Sequence, residues 1–353
     1  MAKTLVGIEI TQESVRAVEV TATRGTPRLL ASGEVTLPPG AARDSEVLDA
    51  DAVAVAIRQL WSRAGISGRH VVLAIGGRRV LVREYTTAAM RPDLLRQALP
   101  YQVQELLPVP AAQAVLDFYP VSERDGQVSG LLVAAVAETV EALVQTLARA
   151  KLVVDAVDLA PFGLARIAAR VAAGTTTAMV HVGAHTTHVV IATDGVPRLV
   201  RVLPIDVPTQ ASLGRMDDVD IDAALEQMLE TVPPGDAPAF SETASRASSA
   251  RVRPSAPQGP AGLDPVIGDL ADRVRSTLAF FGNRPDATPI SRVHVSGAGA
   301  TAPGLRSALI GALDLPVHEV HLDDVVAIGD DRPTGESALN LVGTAGILLG
   351  EVR

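Results

Sequence analysis

The sequence has no cysteine and very few aromatic residues, and each absence narrows what the chain can be. Without Cys in its 353 residues, it has neither a disulfide framework nor thiol chemistry, which favours a cytoplasmic protein. Aromatic residues make up 3% of the sequence, although 47% of it is hydrophobic. The hydrophobic cores must therefore consist mainly of Ala, Val, Leu and Ile.

The chain also lacks a basic block and a long apolar run. Its net charge is −9, which argues against nucleic acid as the main partner. No stretch reaches the roughly 18 apolar residues that a membrane-spanning helix needs, and residues 1–10 lack the apolar run of a signal peptide. We therefore expect a soluble intracellular protein, long enough for two or more domains, that does not insert directly into a membrane.

The most informative feature present is a repeat. Residues 5–30 and 177–201 each show an apolar strand, a tight polar turn, a second apolar strand, a Gly turn and a third strand. The sequence Gly-x-Pro-Arg-Leu occurs at 25–29 and again at 195–199. A spacing of about 170 residues is too long for a solenoid repeat, so it predicts two duplicated halves.

The polar turns of the two units, residues 11–14 and 184–187, form the first candidate site. Successive backbone N–H groups in such turns can create a concave anion-binding surface. Two of these turns facing each other across a cleft would hold the phosphates of a nucleotide from both sides.

Between the repeats, the sequence predicts a helix, a buried strand and an α+β insertion. Asp49 or Asp51 can cap a helix that carries Trp61 on its apolar face and stops at Gly65. A buried strand follows at 70–75. The predicted elements of the insertion are a helix at 93–107 with a leucine stripe, ended by Pro108, two strands at 114–121 and 128–137, and a helix capped by Thr139.

A second candidate site follows a predicted strand at 292–296, in the sequence SGAGATAPGL at 296–305. Glycine at 297 and 299 lets a flat ligand approach the backbone, and the helix that starts near Pro303 offers free N–H groups and positive potential. Alone, a glycine turn is a weak signal, because such turns also serve simply to reverse the chain. Together with two phosphate turns it becomes specific.

Two phosphate turns followed by an adenosine turn resemble the actin-like ATPase superfamily and, within it, the PilM family of type IV pilus machines. The resemblance is carried by GIEITQESVRAVEV at 7–20, RQALPYQVQELLPVPAAQAVLDFYPV at 96–121, DLADRVRSTLAFF at 269–281 and VHVSGAGATAPGLRSAL at 293–309. It implies an α/β, actin-like (ASKHA) two-domain fold with an FtsA/PilM-type α+β inserted subdomain.

The resemblance also implies a division of the chain. The expected parts are a first actin-like domain at 1–84, 152–177 and 331–353, the inserted interaction subdomain at 85–151, a second actin-like domain at 178–207 and 286–330, and an upper subdomain at 208–285. The upper subdomain contains an Asp-rich run at 217–222, a short helix at 223–230 and a segment rich in Pro, Ser, Ala and Gly at 231–262. We expect this last segment to be a flexible loop, because it cannot bury enough apolar surface to offset its ordering entropy.

Members of such a family bind ATP and Mg²⁺, so the resemblance implies a set of site residues. The expected nucleotide contacts are Thr11, Gln12, Ser14, Arg16, Gly183, Ala184, His185, Thr186, Gly297, Ala298 and Gly299. Glu9, acting with a water molecule, is the candidate catalytic residue.

Several positions depart from the family pattern. The family has Asp at the positions of Glu9 and His181; the second Asp holds magnesium through water, a role that a neutral imidazole cannot fill for a hard cation. Glu13, where the family has Ser, would point a negative charge at the phosphates. We therefore expect weak or absent ATP binding and negligible hydrolysis. We predict no metal site, although the histidines at 181, 185 and 188 leave zinc as an alternative.

The resemblance implies a cytoplasmic scaffold of a type IV pilus-like machine, peripheral to the inner face of the membrane through its partner. That partner is the cytoplasmic tail of a PilN-like membrane protein, bound between the first domain and the insertion. Charge substitutions at exposed positions of 101–107 should abolish the contact. Other pilus assembly components are further expected partners, and self-association stays open. The alternatives are an ATPase of the same fold with slow hydrolysis and an FtsA-like division protein that binds membrane directly.

Overall fold

The computed structural model describes residues 4–22, 25–44, 46–212, 264–285, 287–329 and 333–350. The Asp-rich run, the short helix and the flexible loop predicted between residues 217 and 262 lie outside these ranges. Among the helices within them, none is long and apolar enough to cross a membrane.

Two five-stranded sheets of the same topology organise the fold, which confirms the predicted duplication. The first contains β1 (Thr4–Ile10), β2 (Ser14–Thr21), β3 (Leu29–Thr36), β6 (His70–Ile75) and β10 (Val153–Leu159), in the order β10-β6-β1-β2-β3. The second contains β11 (Thr176–Val182), β12 (Thr187–Thr193), β13 (Val196–Leu203), β14 (Ile290–Ser296) and β15 (Val317–Glu319), in the order β13-β12-β11-β14-β15. In each sheet an antiparallel meander of three strands is extended by two parallel strands.

Helices pack on both sheets, and the larger of the two cores also takes in Met179, Val190, Ala192 and Val200 of the second sheet. The helices are α1 (Ala50–Ala64), α2 (Pro92–Gln102), α3 (Ala137–Arg149), α4 (Ala160–Val171), α5 (Pro265–Gly282), α6 (Leu305–Ala312), α7 (Leu322–Val325) and α8 (Gly335–Gly346). Apolar residues of α1, α3, α4 and α8 share one core with the first sheet, whereas those of α5 and α6 pack on the second.

The predicted limits of α1 are confirmed. The Asp49 carboxylate accepts hydrogen bonds from the N–H groups of Asp51 and Ala52, which satisfies two donors of the first turn. Gly65 ends the helix in the left-handed conformation, at φ 67°. Trp61 is buried as expected, and its indole N–H donates to the Gly68 carbonyl oxygen at 2.8 Å.

A third sheet, in the order β7-β9-β8, lies within the inserted region. Its strands are β7 (Val80–Ala88), β8 (Ala114–Arg124) and β9 (Gln127–Val136), and a short hairpin of β4 (Ala42–Arg43) and β5 (Glu46–Val47) precedes α1. Leu131 belongs to the core of the first sheet, whereas its neighbour Leu132 packs with Leu99 and Val103 of the α2 segment. Because neighbouring residues of a strand point to opposite faces, α2 and the first sheet lie on opposite sides of this third sheet. The predicted domain division stays a prediction, and its boundary at residue 85 falls within β7.

Two local predictions for the insertion are wrong. The helix predicted at 93–107 ends at Gln102 and is followed by a short 3₁₀ turn, Gln104–Leu106. Pro100 within it has no N–H to donate to the preceding turn. Its leucine stripe is not continuous core, because Leu94 is 46% and Leu106 36% exposed. Thr139 does not cap α3, which begins at Ala137; the Thr139 hydroxyl donates instead to a Glu46 carboxylate oxygen.

Candidate functional site

The two polar turns of the repeat have the same hydrogen-bonded form and face each other. Thr11 N–H donates to the Ser14 carbonyl at 2.9 Å, and Gly183 N–H donates to the Thr186 carbonyl at 3.0 Å. Each turn joins the first two strands of its sheet. Between them lies a cavity of about 60 Å³.

Most of the predicted site residues line this cavity. Those that do are Glu9, Thr11, Gln12, Arg16, Gly183, Ala184, His185 and Thr186. Ser14 is not part of the lining; its hydroxyl donates to a Glu34 carboxylate oxygen at 2.6 Å. Gly297, Ala298 and Gly299 are also outside the lining and are buried.

The glycine turn after β14 packs tightly against β11. At Gly297, which has φ 87°, an added Cβ would lie 2.3 Å from the Val182 carbonyl oxygen. At Gly299 an added Cβ would lie 2.5 Å from a Val182 methyl carbon. Ala298 N–H donates to the Asn340 side-chain oxygen at 2.8 Å. These glycines therefore permit a close approach of the backbone to β11, within the second half of the chain.

His185 lies between two carboxylates. Its Nε2 is 2.6 Å from Glu13 Oε1 on the first turn, and its Nδ1 is 2.6 Å from Asp206 Oδ1 on the segment after β13. The hydrogen bond to Glu13 raises the pKa of His185 to about 9; partial burial opposes this shift, and the hydrogen bond to Asp206 and both charges add to it. His185 is therefore an imidazolium at neutral pH. The negative charge of Glu13, expected to face a phosphate, is directed at this cation.

His181 and His188, on the paired strands β11 and β12, stack with ring centroids 6.4 Å apart. Burial, the electrostatic coupling to the neighbouring His188 ring and the charge of Arg16 together hold the pKa of His181 well below its ordinary value. His181 Nδ1 is hydrogen-bonded to the Ser296 hydroxyl at 2.9 Å. Burial also lowers the pKa of His188, whose Nε2–H donates to the Gly76 carbonyl oxygen at 2.6 Å. Both rings are therefore neutral at pH 7.

Arg16 is paired with carboxylates of its own sheet. Its Nε lies 3.1 Å from Glu34 Oε1, on the neighbouring strand β3. Burial raises the pKa of Glu34, but the charge of Arg16 and hydrogen bonds from Ser14 and Asn340 outweigh it, so that the pKa is lowered overall. Glu9 Oε2 lies 3.8 Å from Arg16 Nη1 and also accepts a hydrogen bond from the Thr344 hydroxyl at 3.0 Å. The guanidinium of Arg16 is therefore neutralised by the protein.

As arranged, these residues do not fit magnesium and a nucleotide. The residue at the magnesium-binding position, His181, is neutral and already hydrogen-bonded. Sites for drug-sized ligands have volumes of about 300–1,000 Å³, whereas this cavity of about 60 Å³ has room for only a few water molecules. Among the described residues, no group of three or more His, Asp or Glu side chains is arranged to hold a metal ion.

Sequence reasoning missed several groups that build this site. Asp206, Glu34, Gly76 and Thr344 lie in four separate segments, and each contacts a predicted site residue or its neighbour. Only Gly76 had a local signal, as the first of two glycines after a buried strand, and that signal indicated merely the end of the strand.

Comparison with known proteins shows one matching family and several solved structures of similar fold. The model of the family described as type IV pilus assembly protein PilM matches residues 7–199. The chain is similar to a solved structure described as a PilM-PilN type IV pilus biogenesis complex, with a TM-score of 0.74 and 24% identity, covering 98% of this chain and 97% of that one. It is also similar to the ethanolamine utilization protein EutJ from Carboxydothermus hydrogenoformans, with a TM-score of 0.51 and 14% identity, covering 99% of this chain and 90% of that one. The actin-like fold expected from the sequence is thereby confirmed.

Proposed function

This chain belongs to the type IV pilus assembly protein PilM family, and from that premise we propose that it is a cytoplasmic scaffold of a type IV pilus-like machine. In this role it binds the cytoplasmic tail of a PilN-like inner-membrane protein and is held at the inner face of the membrane by that contact. Other assembly components bind to the complex so formed. The observation that carries the proposal is the fold shared, over nearly the whole chain, with the structure of a PilM-PilN complex.

A groove between the first sheet and the insertion supports this proposal and is the surface we assign to the tail. Its apolar lining comes from the end of β6, one end of the third sheet, where the start of β7 pairs with the end of β9, and the first turns of α3. The lining residues are Ile75, Val80, Ala135, Val136, Val140 and Leu143. The ion pair between Arg79 and Glu46, at 2.6 Å, lies at its side. The cavity enclosed here is only about 10 Å³ in volume, so the proposed contact is an extended peptide lying across the groove rather than a side chain filling it.

The exposed surface of α2 is a second candidate binding site for the tail, separate from the groove. Tyr101 is 84% exposed and Leu94 46% exposed, so this segment also offers apolar side chains to a partner. Because α2 lies on the opposite face of the third sheet from the groove, the contact expected at 101–107 and a contact in the groove cannot be the same one. Single substitutions therefore distinguish them.

The experiment is a fluorescence-anisotropy titration of the chain with a labelled peptide of the PilN-like tail. Val140→Glu puts a charge on the groove and should weaken binding more than tenfold, since a buried unpaired charge costs several kcal/mol. Ile310→Glu, at an exposed apolar position of α6, is the matched control and should leave the affinity unchanged. Thermal denaturation of each variant checks that it is folded.

Two outcomes would change the proposal. Loss of binding with Tyr101→Glu, and not with Val140→Glu, would assign the tail to the α2 surface. Absence of binding by the unaltered chain would refute the tail as its partner.

The proposal includes a degenerate nucleotide cleft. Its support is the neutral His181, the pairing of Arg16 with Glu34 and the small cavity between the turns. In this proposal the actin-like fold is retained as a binding platform, and ATP hydrolysis is not part of its action.

A further inference from the structure

Two histidines of the second repeat cross the cleft to the first half of the chain. His185 Nε2 lies 2.6 Å from Glu13 Oε1, and His188 Nε2 lies 2.6 Å from the Gly76 carbonyl oxygen. Glu13 is in the first polar turn, and Gly76 directly follows β6. Both contacts therefore join one five-stranded sheet to the other.

The contact between Glu13 and His185 pairs two charges that are largely removed from water. The Glu13 side chain is 6% exposed and that of His185 is 28% exposed. An ionised carboxylate in such a position is strongly unfavourable unless it is paired. His185 supplies the opposite charge, and the pKa of about 9 keeps it protonated at neutral pH. Separating the two halves at this point would break this ion pair.

The charged groups around this pair have partners of their own. Asp206 contacts the other ring nitrogen of His185 from within the second half. Arg78 donates to the His185 backbone oxygen at 3.5 Å and pairs with Asp44 at 3.1 Å. The remaining titratable groups that line the same cavity are Arg16, Glu9, His181 and His188. Arg16 pairs with Glu34, and Glu9 accepts a hydrogen bond from Thr344. The two histidines are neutral.

We propose that Glu13 and His185 form a clamp that holds the two halves of the chain closed across the cleft, at the point where the phosphates of a ligand would otherwise join the two turns. Between the turns, the Glu13 carboxylate lies where the negative charge of a phosphate would lie, and the His185 imidazolium provides the positive charge that pairs with it. An anion that enters between the turns has to break this pair first. The clamp is a property of the chain alone and does not depend on whether a partner tail binds.

The test is hydrogen exchange of the whole chain at neutral pH, read by mass spectrometry on peptides that cover residues 11–14 and 183–187. Glu13→Gln and His185→Gln should each accelerate exchange in both turns about tenfold, the effect of a partly buried ion pair. The double variant should exchange no faster than either single one, because both remove the same contact. Asp206→Asn is the matched control: it removes a carboxylate from the same ring without crossing the cleft, and should leave residues 11–14 protected.

The clamp is refuted if Glu13→Gln leaves exchange in both turns unchanged, or if the effects of the two substitutions multiply in the double variant. A second measurement requires no substitution and therefore also applies if a variant fails to fold. Titration of the His185 ring by nuclear magnetic resonance in the unaltered chain should give a pKa near 9. A value near the ordinary 6.5 would overturn the clamp.

Discussion

The stability of this chain should fall as the pH rises through about 9, and His185 should be the cause. The pKa of His185 is raised from 6.5 to about 9, first by its hydrogen bond to Glu13 and, against partial burial, also by that to Asp206. The folded state therefore binds this proton more tightly than the unfolded state does. The resulting stabilisation is complete below pH 6.5 and is lost as the pH rises through the folded-state value.

The size of the effect follows from the same shift. The difference between about 9 and 6.5 is about 2.5 pH units, which at about 1.36 kcal/mol per unit sets an upper bound of about 3.4 kcal/mol. The ring is 28% exposed and the Asp206 side chain 77% exposed, so solvent screens part of the attraction. We therefore expect about 1–2 kcal/mol.

The assay is urea denaturation of the unaltered chain and of His185→Gln at about pH 6, 7.5 and 9.5, followed by far-ultraviolet circular dichroism. The difference between their free energies of unfolding should shrink by about 1–2 kcal/mol from the lowest pH to the highest. His70→Gln is the matched control, because His70 contacts Asp155 at 2.7 Å with both side chains exposed, where such pairs contribute little. A His185→Gln difference that stays constant with pH would refute the reasoning.

The remaining predictions concern the nucleotide, the glycine turn and α1. Titration calorimetry with ATP and magnesium should give no dissociation constant in the low micromolar range, and a value in that range would contradict the degenerate cleft. The double variant Glu13→Ser, His181→Asp should bind ATP more tightly than the unaltered chain. Gly297→Ala should cost more than about 3 kcal/mol in thermal denaturation, because its Cβ would lie 2.3 Å from a β11 carbonyl oxygen. Gly311→Ala, in open space on α6, should instead stabilise the chain by about 0.5 kcal/mol, and an equal loss at both glycines would contradict the packing argument. Asp49→Ala should lower stability by about 1 kcal/mol in the same measurement, and no loss would show that its cap is unimportant.

Local patterns in the sequence were sufficient for the three-stranded unit of each sheet, for β6 and β14, and for α1. A strand, a turn and a helix cap each depend on residues within a few positions of one another, as Asp49 and Gly65 illustrate. The repeat then extended the argument from one half to the other, and both halves have the same strand order. Resemblance to a family supplied the overall fold, which composition and periodicity alone did not determine.

The cleft was harder to predict, because its contacts join residues far apart in the chain. Glu13 was expected to oppose a phosphate, yet it lies against His185. The glycines at 297 and 299 were expected to approach a ligand, yet they approach β11. In both cases the residue type correctly indicated the kind of contact, a charge pair or a close backbone approach. The role of the residue depended on its contact partner, which a single sequence cannot identify.

The buried position of Trp61 determines how the unfolding of this chain can be observed. It is the single tryptophan, and its indole is enclosed by the core of the first sheet. All three tyrosines, Tyr85, Tyr101 and Tyr119, belong to the inserted region. Fluorescence will therefore report on the first half through tryptophan and on the insertion through tyrosine, while residues 178–330 contain neither chromophore. Tyr85 lines a cavity together with Phe281 and Arg284 of the second half. Opening or partial unfolding of that half would therefore be reported indirectly through this tyrosine, unless a tryptophan were introduced there.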